Sequence, residues 1–186
     1  MAEIACIGRS WAMASWLMDQ PEALLADRYR EHWDGIVTDV QTNLQWMRFS
    51  LGQQWEMFSC IGKATGCTWK AALDMAHTLN RQGGYAGHHD WRIPTIEELQ
   101  TLYCSSQPET WNDPGVTCQG QYVRPPGSYQ LAFPNTPRKG WYWSSSTYEE
   151  DLSFVWSIYF YPGYGKVFAC RKVLGFGYVR LVRGHL

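Results

Sequence analysis

Two segments of the chain carry apolar residues at helical spacing, which predicts two helices that each bury one face. The first segment, residues 69–79, follows Thr68, a residue type that caps helix starts, and two glycines at 83–84 end it. The second segment begins after Thr95. Because Thr95 and Glu98 have the spacing of a capping box, each side chain can bond a backbone amide of the other residue. The apolar stripe of each helix must then pack on the rest of the domain.

Alternation of apolar and polar residues, together with aromatic and β-branched composition, predicts strands in two parts of the chain. Residues 35–47 alternate and turn near the middle, which is typical of a β-hairpin. Residues 142–145 and 154–161 are rich in aromatic and β-branched residues, and residues 166–172 pair back on them after a Pro-Gly turn. Residues 179–182 should form a last, central strand. The predicted class is therefore α+β, with two helices packed on a mostly antiparallel sheet.

Two segments lack a clear period, and a third is set apart from the rest. Residues 51–66 contain three glycines and no alternation, so we expect a loop. Residues 105–140 contain six prolines, which exclude a long helix or a central strand and predict a long Pro-rich loop region. Residues 1–34 have loosely spaced apolar positions, so we expect an N-terminal helical extension, either a packing appendage or a segment that docks to a partner or a membrane. The domain proper is then residues 35–186.

Strand alternation also divides the residues of the second C-terminal strand between two faces. If the even-numbered residues of 156–160 face the core, Ser157, Tyr159 and Tyr161 lie on the opposite face. Exposed tyrosines offer a large contact area and hydrogen-bonding hydroxyls, as in adaptable protein-binding surfaces. We therefore expect a binding surface on this face. The other hypothesis is that these tyrosines cover the edges of the core.

Composition and charge narrow the classes of partner. The 186 residues suit one domain with a sizeable core. A net charge of −1 lacks the basic footprint of proteins that neutralise many phosphates, so nucleic acid is not expected as a partner. No apolar run is long enough to span a membrane. Aromatic residues make up 16% of the chain, which suits either a β-rich core or a wide contact surface.

Two signals about the cellular compartment conflict. Six cysteines are many for a cytosolic chain of this length without metal-ligand spacing, and they indicate an oxidising compartment. The N-terminus, however, shows no recognisable secretory signal, because Glu3 stands where a basic start is expected and no small-residue cleavage site follows. We expect an extracellular or periplasmic location. A cytoplasmic protein with free buried thiols is the alternative.

Three short motifs suggest chemistry, but their context favours structural roles. Residues 88–90, His-His-Asp, are adjacent and point to opposite sides of an extended chain, and no second cluster completes a zinc site. Residues 144–146 are serines without the frame of a nucleophile elbow. Residues 111–113, Trp-Asn-Asp, resemble the calcium motif of sugar-binding lectins but lie far from the last strands. We therefore expect turns at the first and third motifs, and no metal, cofactor or catalytic residue.

Four groups of residues occur in the order of one known family's motifs. Residues 35–47 contain Gly-Ile-Val-Thr-Asp and Leu-Gln-Trp-Met, and residues 68–73 read Thr-Trp-Lys-Ala-Ala-Leu. Residues 83–99 contain Gly-Gly-Tyr, Asp-Trp-Arg-Ile-Pro-Thr and Glu-Leu. Residues 142–148 read Tyr-Trp-Ser-Ser-Ser-Thr-Tyr, and residues 178–184 read Tyr-Val-Arg-Leu-Val-Arg-Gly. The set resembles the signature of the DUF1566 family, which includes the C-terminal domain of the Legionella collagen-like adhesin.

The resemblance implies a C-type-lectin-like fold and a non-catalytic module, adhesin-like or receptor-recognising, that binds a protein or a glycan. One alternative is a structural subunit of a surface or phage-like assembly. Another is an oxidase like the formylglycine-generating enzymes, which share the fold but need a close cysteine pair. The oligomeric state stays open. In relatives diversified by retroelements the ligand-contacting residues lie in the last strands and turns, which here gives Ser157, Tyr159, Tyr161, Tyr164, Lys166, Phe168 and Lys172.

The cysteines allow one pairing to be predicted and leave the others open. We expect a disulfide between Cys104 and Cys118, because the Pro-rich region has little regular structure to hold it. Relatives carry cysteine where this chain has Phe49, and the resemblance implies that Cys60 is the partner of that missing cysteine. Cys60 therefore either pairs with Cys67 or stays free. Two further cysteines are unassigned: Cys6 and Cys170.

Overall fold

A computed structural model describes residues 24–25, 28–102, 131–137, 139–161, 164–173 and 175–184. Within these residues the chain is α+β, with two helices and three antiparallel sheets. The helices are α1 Trp69–Arg81 and α2 Ile96–Thr101. The strands are β1 Leu24–Leu25, β2 Tyr29–Glu31, β3 Ile36–Asp39, β4 Gln45–Met47, β5 Gln53–Glu56, β6 Ser59–Gly62, β7 Trp141–Thr147, β8 Phe154–Tyr161, β9 Tyr164–Arg171 and β10 Val182–Arg183.

The largest sheet has five strands in the order β1-β2-β3-β4-β10, and every neighbouring pair is antiparallel. The hairpin predicted for residues 35–47 is confirmed as β3 and β4. Strand β10 lies beside β4, with Val182 opposite Trp46. The central strand predicted at 179–182 differs in bounds and position: β10 is Val182–Arg183 at the end of this sheet, and within the described residues its other side is bonded to Arg92 through an isolated bridge.

Both predicted helices are present, and so are their caps. The Thr68 side chain accepts a hydrogen bond from the Ala71 amide at the start of α1. At the start of α2, Thr95 and Glu98 form the predicted capping box, and the Thr95 amide donates to the Glu98 carboxylate over 2.8 Å. Neither of these described helices is long and apolar enough to cross a membrane.

The three-stranded sheet has the order β7-β8-β9 and confirms the C-terminal strands predicted from composition. Alternation sends neighbouring residues of β7 to opposite faces. Tyr142 belongs to the core that contains α2, whereas Trp143 belongs to the core that contains α1. Ile158 and Phe160 are buried in the same core as Tyr142, as predicted. Helix α2 therefore packs on one face of this sheet, and α1 shares a hydrophobic core with the opposite face.

Residues 51–66 differ from the prediction of a loop, since β5 and β6 form a hairpin there. Its turn consists of Met57 and Phe58, with φ angles of 46° and 63°. Turns of this kind usually carry asparagine or glycine, so no local residue type signals it. The hairpin is fastened by Asn135, whose carbonyl accepts from the Gln53 side chain over 3.0 Å and whose amide donates to the Cys60 carbonyl.

The helical extension predicted for residues 1–34 is wrong where the chain is described. Strands β1 and β2 form a hairpin that extends the large sheet. Tyr29 is buried, and Arg28 donates to both carboxylate oxygens of Asp39. These sheet contacts outweigh the loose helical spacing of the segment. Residues 1–23 lie outside the described residues, and so does most of the Pro-rich region with its motif at 111–113; the boundary at 34–35 stays a prediction.

Candidate ligand-binding surface

The charged residues of the family-like signature are held in ion pairs. Arg92 donates from two nitrogens to the two carboxylate oxygens of Glu98, over 2.7 Å and 2.6 Å, and also to the Gly184 carbonyl. Arg183 donates to the Asp90 carboxylate over 2.8 Å. This hydrogen bond lowers the pKa of Asp90 because it stabilises the charged form. The carboxylates of Asp90 and Glu98 are therefore already paired with arginines of the same domain.

The aromatic residues of the signature also have internal partners. The buried Trp91 indole donates to the Tyr85 carbonyl over 3.0 Å. The Tyr85 hydroxyl donates to the Asp34 carbonyl, and burial raises the pKa of Tyr85 to about 12. The backbone forms a tight turn from Tyr85 to His88, closed by two backbone hydrogen bonds. The His89 ring contacts the Asn80 carbonyl at 3.1 Å.

Residues 88–90, the motif that suggested a metal, therefore do not converge. The Asp90 carboxylate pairs with Arg183, and the His89 ring faces α1. Over the described residues, no group of three or more histidine, cysteine, aspartate or glutamate side chains could hold a metal ion. The turn lies just before the predicted position, from Tyr85 to His88, and residues 89–90 are irregular.

The three serines of β7 attach the strand to its surroundings. Ser144 donates to the Trp156 carbonyl over 2.6 Å, and Ser145 donates to the Pro94 carbonyl over 3.2 Å. The Ser146 hydroxyl accepts from the Ile96 amide over 2.9 Å at the start of α2. The described signature residues thus build the scaffold, and a ligand-binding surface must be sought among other side chains.

Two rows of side chains cross one face of the three-stranded sheet, the face that carries the odd-numbered residues of β7 and β8 and the even-numbered residues of β9. The first row consists of Trp141, Tyr159 and Lys166, which are directly opposite one another in the register. The second row consists of Trp143, Ser157 and Phe168. Both rows lie on the same face because their members are two residues apart on each strand.

The second row is largely covered by the segment around Gly175 and Gly177, which precedes the last strand. A Cβ at Gly177 would lie 2.7 Å from Nε1 of Trp141 and 2.9 Å from Nε1 of Trp143, and a Cβ at Gly175 would lie 2.8 Å from the Trp143 ring. Only glycine allows so close an approach. Ser157, at 0% exposure, lies beneath this cover. Ser157, which we predicted on the face of the ligand-contacting residues, is on that face but buried, because alternation assigns a residue to a face without showing what covers that face.

The first row, together with Phe168, stays partly open. The Tyr159 and Phe168 rings stack with centroids 4.8 Å apart and an interplanar angle of 22°. The Trp141 ring meets both edge-on, at 5.8 Å and 6.1 Å. All three are half-buried, whereas Lys166 is exposed and forms no ion pair within the described residues. We call Trp141, Tyr159, Lys166 and Phe168 the aromatic surface.

The remaining predicted site residues do not join this surface in the described structure. The side chains of Tyr161 and Tyr164 lie outside the described residues, although their backbones belong to β8 and β9. The Lys172 ammonium donates to the Leu152 carbonyl over 2.7 Å and lies 4.6 Å from the centre of the Trp69 ring. It therefore fastens α1 to the sheet. Sequence reasoning missed Trp141, which the strand period would have placed on the face of Trp143.

The described cysteines are free thiols. Cys60 and Cys67 are buried, Cys170 is half-buried, and none of the three is in a disulfide. The alternative pairing of Cys60 with Cys67 is therefore not formed. Burial raises the pKa of Cys60, although the guanidinium groups of Arg180 and Arg48 oppose it.

Phe49 fills the same core as Cys60 and packs edge-on against Tyr85 at 5.2 Å. The predicted bridge between Cys104 and Cys118 lies outside the described residues and stays a prediction.

The comparison with protein families agrees with the resemblance seen in the sequence motifs. Residues 35–183 match the family model described as the Lcl C-terminal domain. No curated protein matches the chain, and no solved structure matches it. The family match covers well over half of the sequence and includes the ion-paired signature and the aromatic surface. The chain therefore belongs to the Lcl C-terminal domain family.

Proposed function

We propose that this domain is a non-catalytic binding module, adhesin-like in role, that recognises a protein or glycan ligand through the aromatic surface. One observation carries the proposal. On a sheet face whose neighbouring row is closed by the chain at Gly175 and Gly177, three interlocked aromatic rings stay half-exposed beside an exposed ammonium group. A partly exposed aromatic surface of this kind is expected at a ligand-binding site.

The physical properties of this surface suit recognition. Stacked and edge-on rings hold one another in place, so a ligand meets a preformed surface with little loss of side-chain entropy. The Lys166 ammonium, which has no described carboxylate partner, can supply a charged hydrogen bond at the rim. A flat aromatic surface of this kind accepts either the apolar face of a sugar ring or an apolar protein side chain.

We also propose a C-type-lectin-like fold and an extracellular or periplasmic location for the domain. The fold proposal is supported by the pairing of β10 with the β3–β4 hairpin, which brings the two ends of the family match together. The location is supported by the family's adhesin-like, surface-associated character. An experimental structure compared with C-type-lectin-like domains tests the first, and fractionation of the producing cell tests the second.

Screening on glycan and protein arrays tests the binding role, with Phe168→Ser and Lys166→Ala as variants. The native domain should bind a defined subset of the array, and both variants should lose at least about tenfold in affinity for it. Trp33→Ser is the matched control, because Trp33 is 54% exposed and lies outside the aromatic surface. The control should bind like the native domain.

Lys166 is an exposed residue, so the fold of Lys166→Ala should be intact even if the loss of Phe168 disturbs packing. Binding that survives both variants, or an array without any bound ligand, would contradict the proposed role.

A further inference from the structure

Strand β9 is an open edge of the three-stranded sheet. Its eight residues, Tyr164–Arg171, all pair with β8, and no described strand lies on its other side. In an antiparallel pair, every second residue directs both its amide and its carbonyl away from the partner strand. About half of the backbone polar groups of β9 therefore face outward along this edge.

Exposure agrees with the open edge. From Lys166 to Arg171 every residue of β9 is half-buried or exposed, although both faces of the sheet contribute to cores. In β8, by contrast, Val155, Ser157 and Ile158 are fully buried on the same two faces. Among the described strands β8 has a neighbour on each side and β9 has one, which accounts for the difference in exposure.

The charges on β9 itself are of one sign, although Asp151 in the turn before β8 interacts with Arg171. Lys166 and Arg171 are the charged residues of β9, both are exposed, and the strand contains no aspartate or glutamate. The Arg171 guanidinium lies 5.4 Å from the centre of the Phe154 ring, and Lys166 forms no ion pair within the described residues. A second copy of the strand would bring four like charges together, whereas an acidic strand would neutralise the edge.

We propose that the partner of this domain is an acidic polypeptide segment, which binds in extended form along the free edge of β9 as an added strand. This proposal rests on the proposed binding function and names the ligand class for it. Main-chain hydrogen bonds to β9 supply affinity in such strand addition, and alternate side chains supply specificity. Side chains on one face of the added strand would meet Phe168 and Lys166 of the aromatic surface.

Panning a displayed library of random eight-residue peptides against the purified domain tests the proposal. The enriched peptides should carry one aspartate or glutamate opposite Lys166 and another five positions away, opposite Arg171, because these two side chains lie on opposite faces of the sheet. Their binding should slow hydrogen exchange at every second amide of β9. Lys166→Glu should weaken binding at least about tenfold, because it opposes like charges. Lys63→Glu makes the same charge change at an exposed lysine outside the three-stranded sheet and should leave binding unchanged.

Backbone-methylated versions of one enriched peptide give a second readout. Methylation of the amides that face β9 should abolish binding, and methylation of the intervening amides should be tolerated, because only the first set donates to the edge. The proposal is overturned if no peptide is enriched, if β9 amides show no protection, or if both methylated forms bind alike. A glycan that binds the aromatic surface without protecting β9 would overturn strand addition while leaving the binding function intact.

Discussion

At the scale of single residues, the position of two glycines decides how much of the sheet face stays open. Gly175 and Gly177 allow the chain to pack against Trp143, which closes the second row of side chains, and Gly177 also contacts Trp141 at the margin of the first row. In the neighbouring row Trp141 and Tyr159 are half-buried and Lys166 is exposed. The extent of the aromatic surface thus depends on residues that do not belong to it.

Gly177→Ala should destabilise the domain by about 2 kcal/mol, because the added methyl group overpacks a site between two fixed indole rings. Its Cβ would lie within 3.0 Å of both Trp141 and Trp143. Urea unfolding followed by circular dichroism measures the change. The comparison variant is Gly66→Ala, whose nearest neighbour would be 3.3 Å away at the Phe176 carbonyl, and it should cost less. Equal stability of Gly177→Ala and the native protein would show that the covering chain moves aside freely.

Residue types explain which local predictions succeeded at this scale. The caps at Thr68 and Thr95 depend only on backbone groups within four residues, so the sequence contains all the information needed. Ser157 is fully buried in a row whose Trp143 packs against Gly175 and Gly177, some twenty residues further on, and no local pattern records that contact.

At the scale of elements, the short helix α2 depends on one carboxylate that has two roles. Glu98 is 3% exposed, accepts the Thr95 amide of the capping box, and receives two hydrogen bonds from Arg92. Arg92 in turn bridges to Val182 through its backbone. The start of α2 is therefore coupled to the strand that closes the large sheet.

Glu98→Ala should cost about 3 kcal/mol of unfolding free energy, because it leaves the Arg92 guanidinium without its carboxylate partner and removes half of the capping box. Glu97→Ala is the matched control, since Glu97 is the preceding residue, lies in the same helical turn and is exposed. It should change stability by less than about 0.5 kcal/mol. Chemical unfolding at neutral pH measures the free energy of unfolding of the native protein and of both variants. A similar loss of stability in the two variants would contradict the role assigned to Glu98.

Helices and aromatic strands were predictable at the element scale because their signals are periodic. The β5–β6 hairpin was not, since Met57 and Phe58 adopt positive φ angles that such residues rarely take. Contacts from a distant segment stabilise that turn, including the Asn135 bonds to Gln53 and Cys60. The β1–β2 hairpin likewise depends on the sheet that it joins.

At the scale of the whole molecule, the first and last strands of the family region meet in one sheet. β10 pairs with β4, and Arg183 reaches Asp90 in the loop that precedes α2. The family motifs could be placed in order from the sequence, and their meeting in the large sheet could be expected from the resemblance. The open edge of β9 and the closed row beside it could not, because both depend on which segments neighbour the sheet.

The pair of Asp90 and Arg183 should make a small contribution to acid stability. Its hydrogen bond lowers the folded-state pKa of Asp90, so the stabilisation is present above the unfolded pKa and is lost as pH falls through the folded pKa. The Asp90 side chain is 55% exposed, so solvent screening keeps the effect below about 1 kcal/mol.

Asp90→Asn should therefore be slightly less stable than the native domain at pH 7, and the two should converge near about pH 3 and below. Urea unfolding at a series of pH values measures the difference. A difference that stays constant across this range would mean that the Asp90 charge is not responsible. High salt should reduce the difference at pH 7, because the pair is exposed.

The closing strand also has a mechanical consequence. The segment that ends in β10 is bonded on both sides, to β4 and to Arg92, and arginine side chains fasten it at Asp90 and Gly184. A pulling force applied beyond Gly184 runs along this strand. This force therefore loads the hydrogen bonds on both sides of the strand in shear. The bonds must then break together, whereas bonds pulled open from one end break one after another.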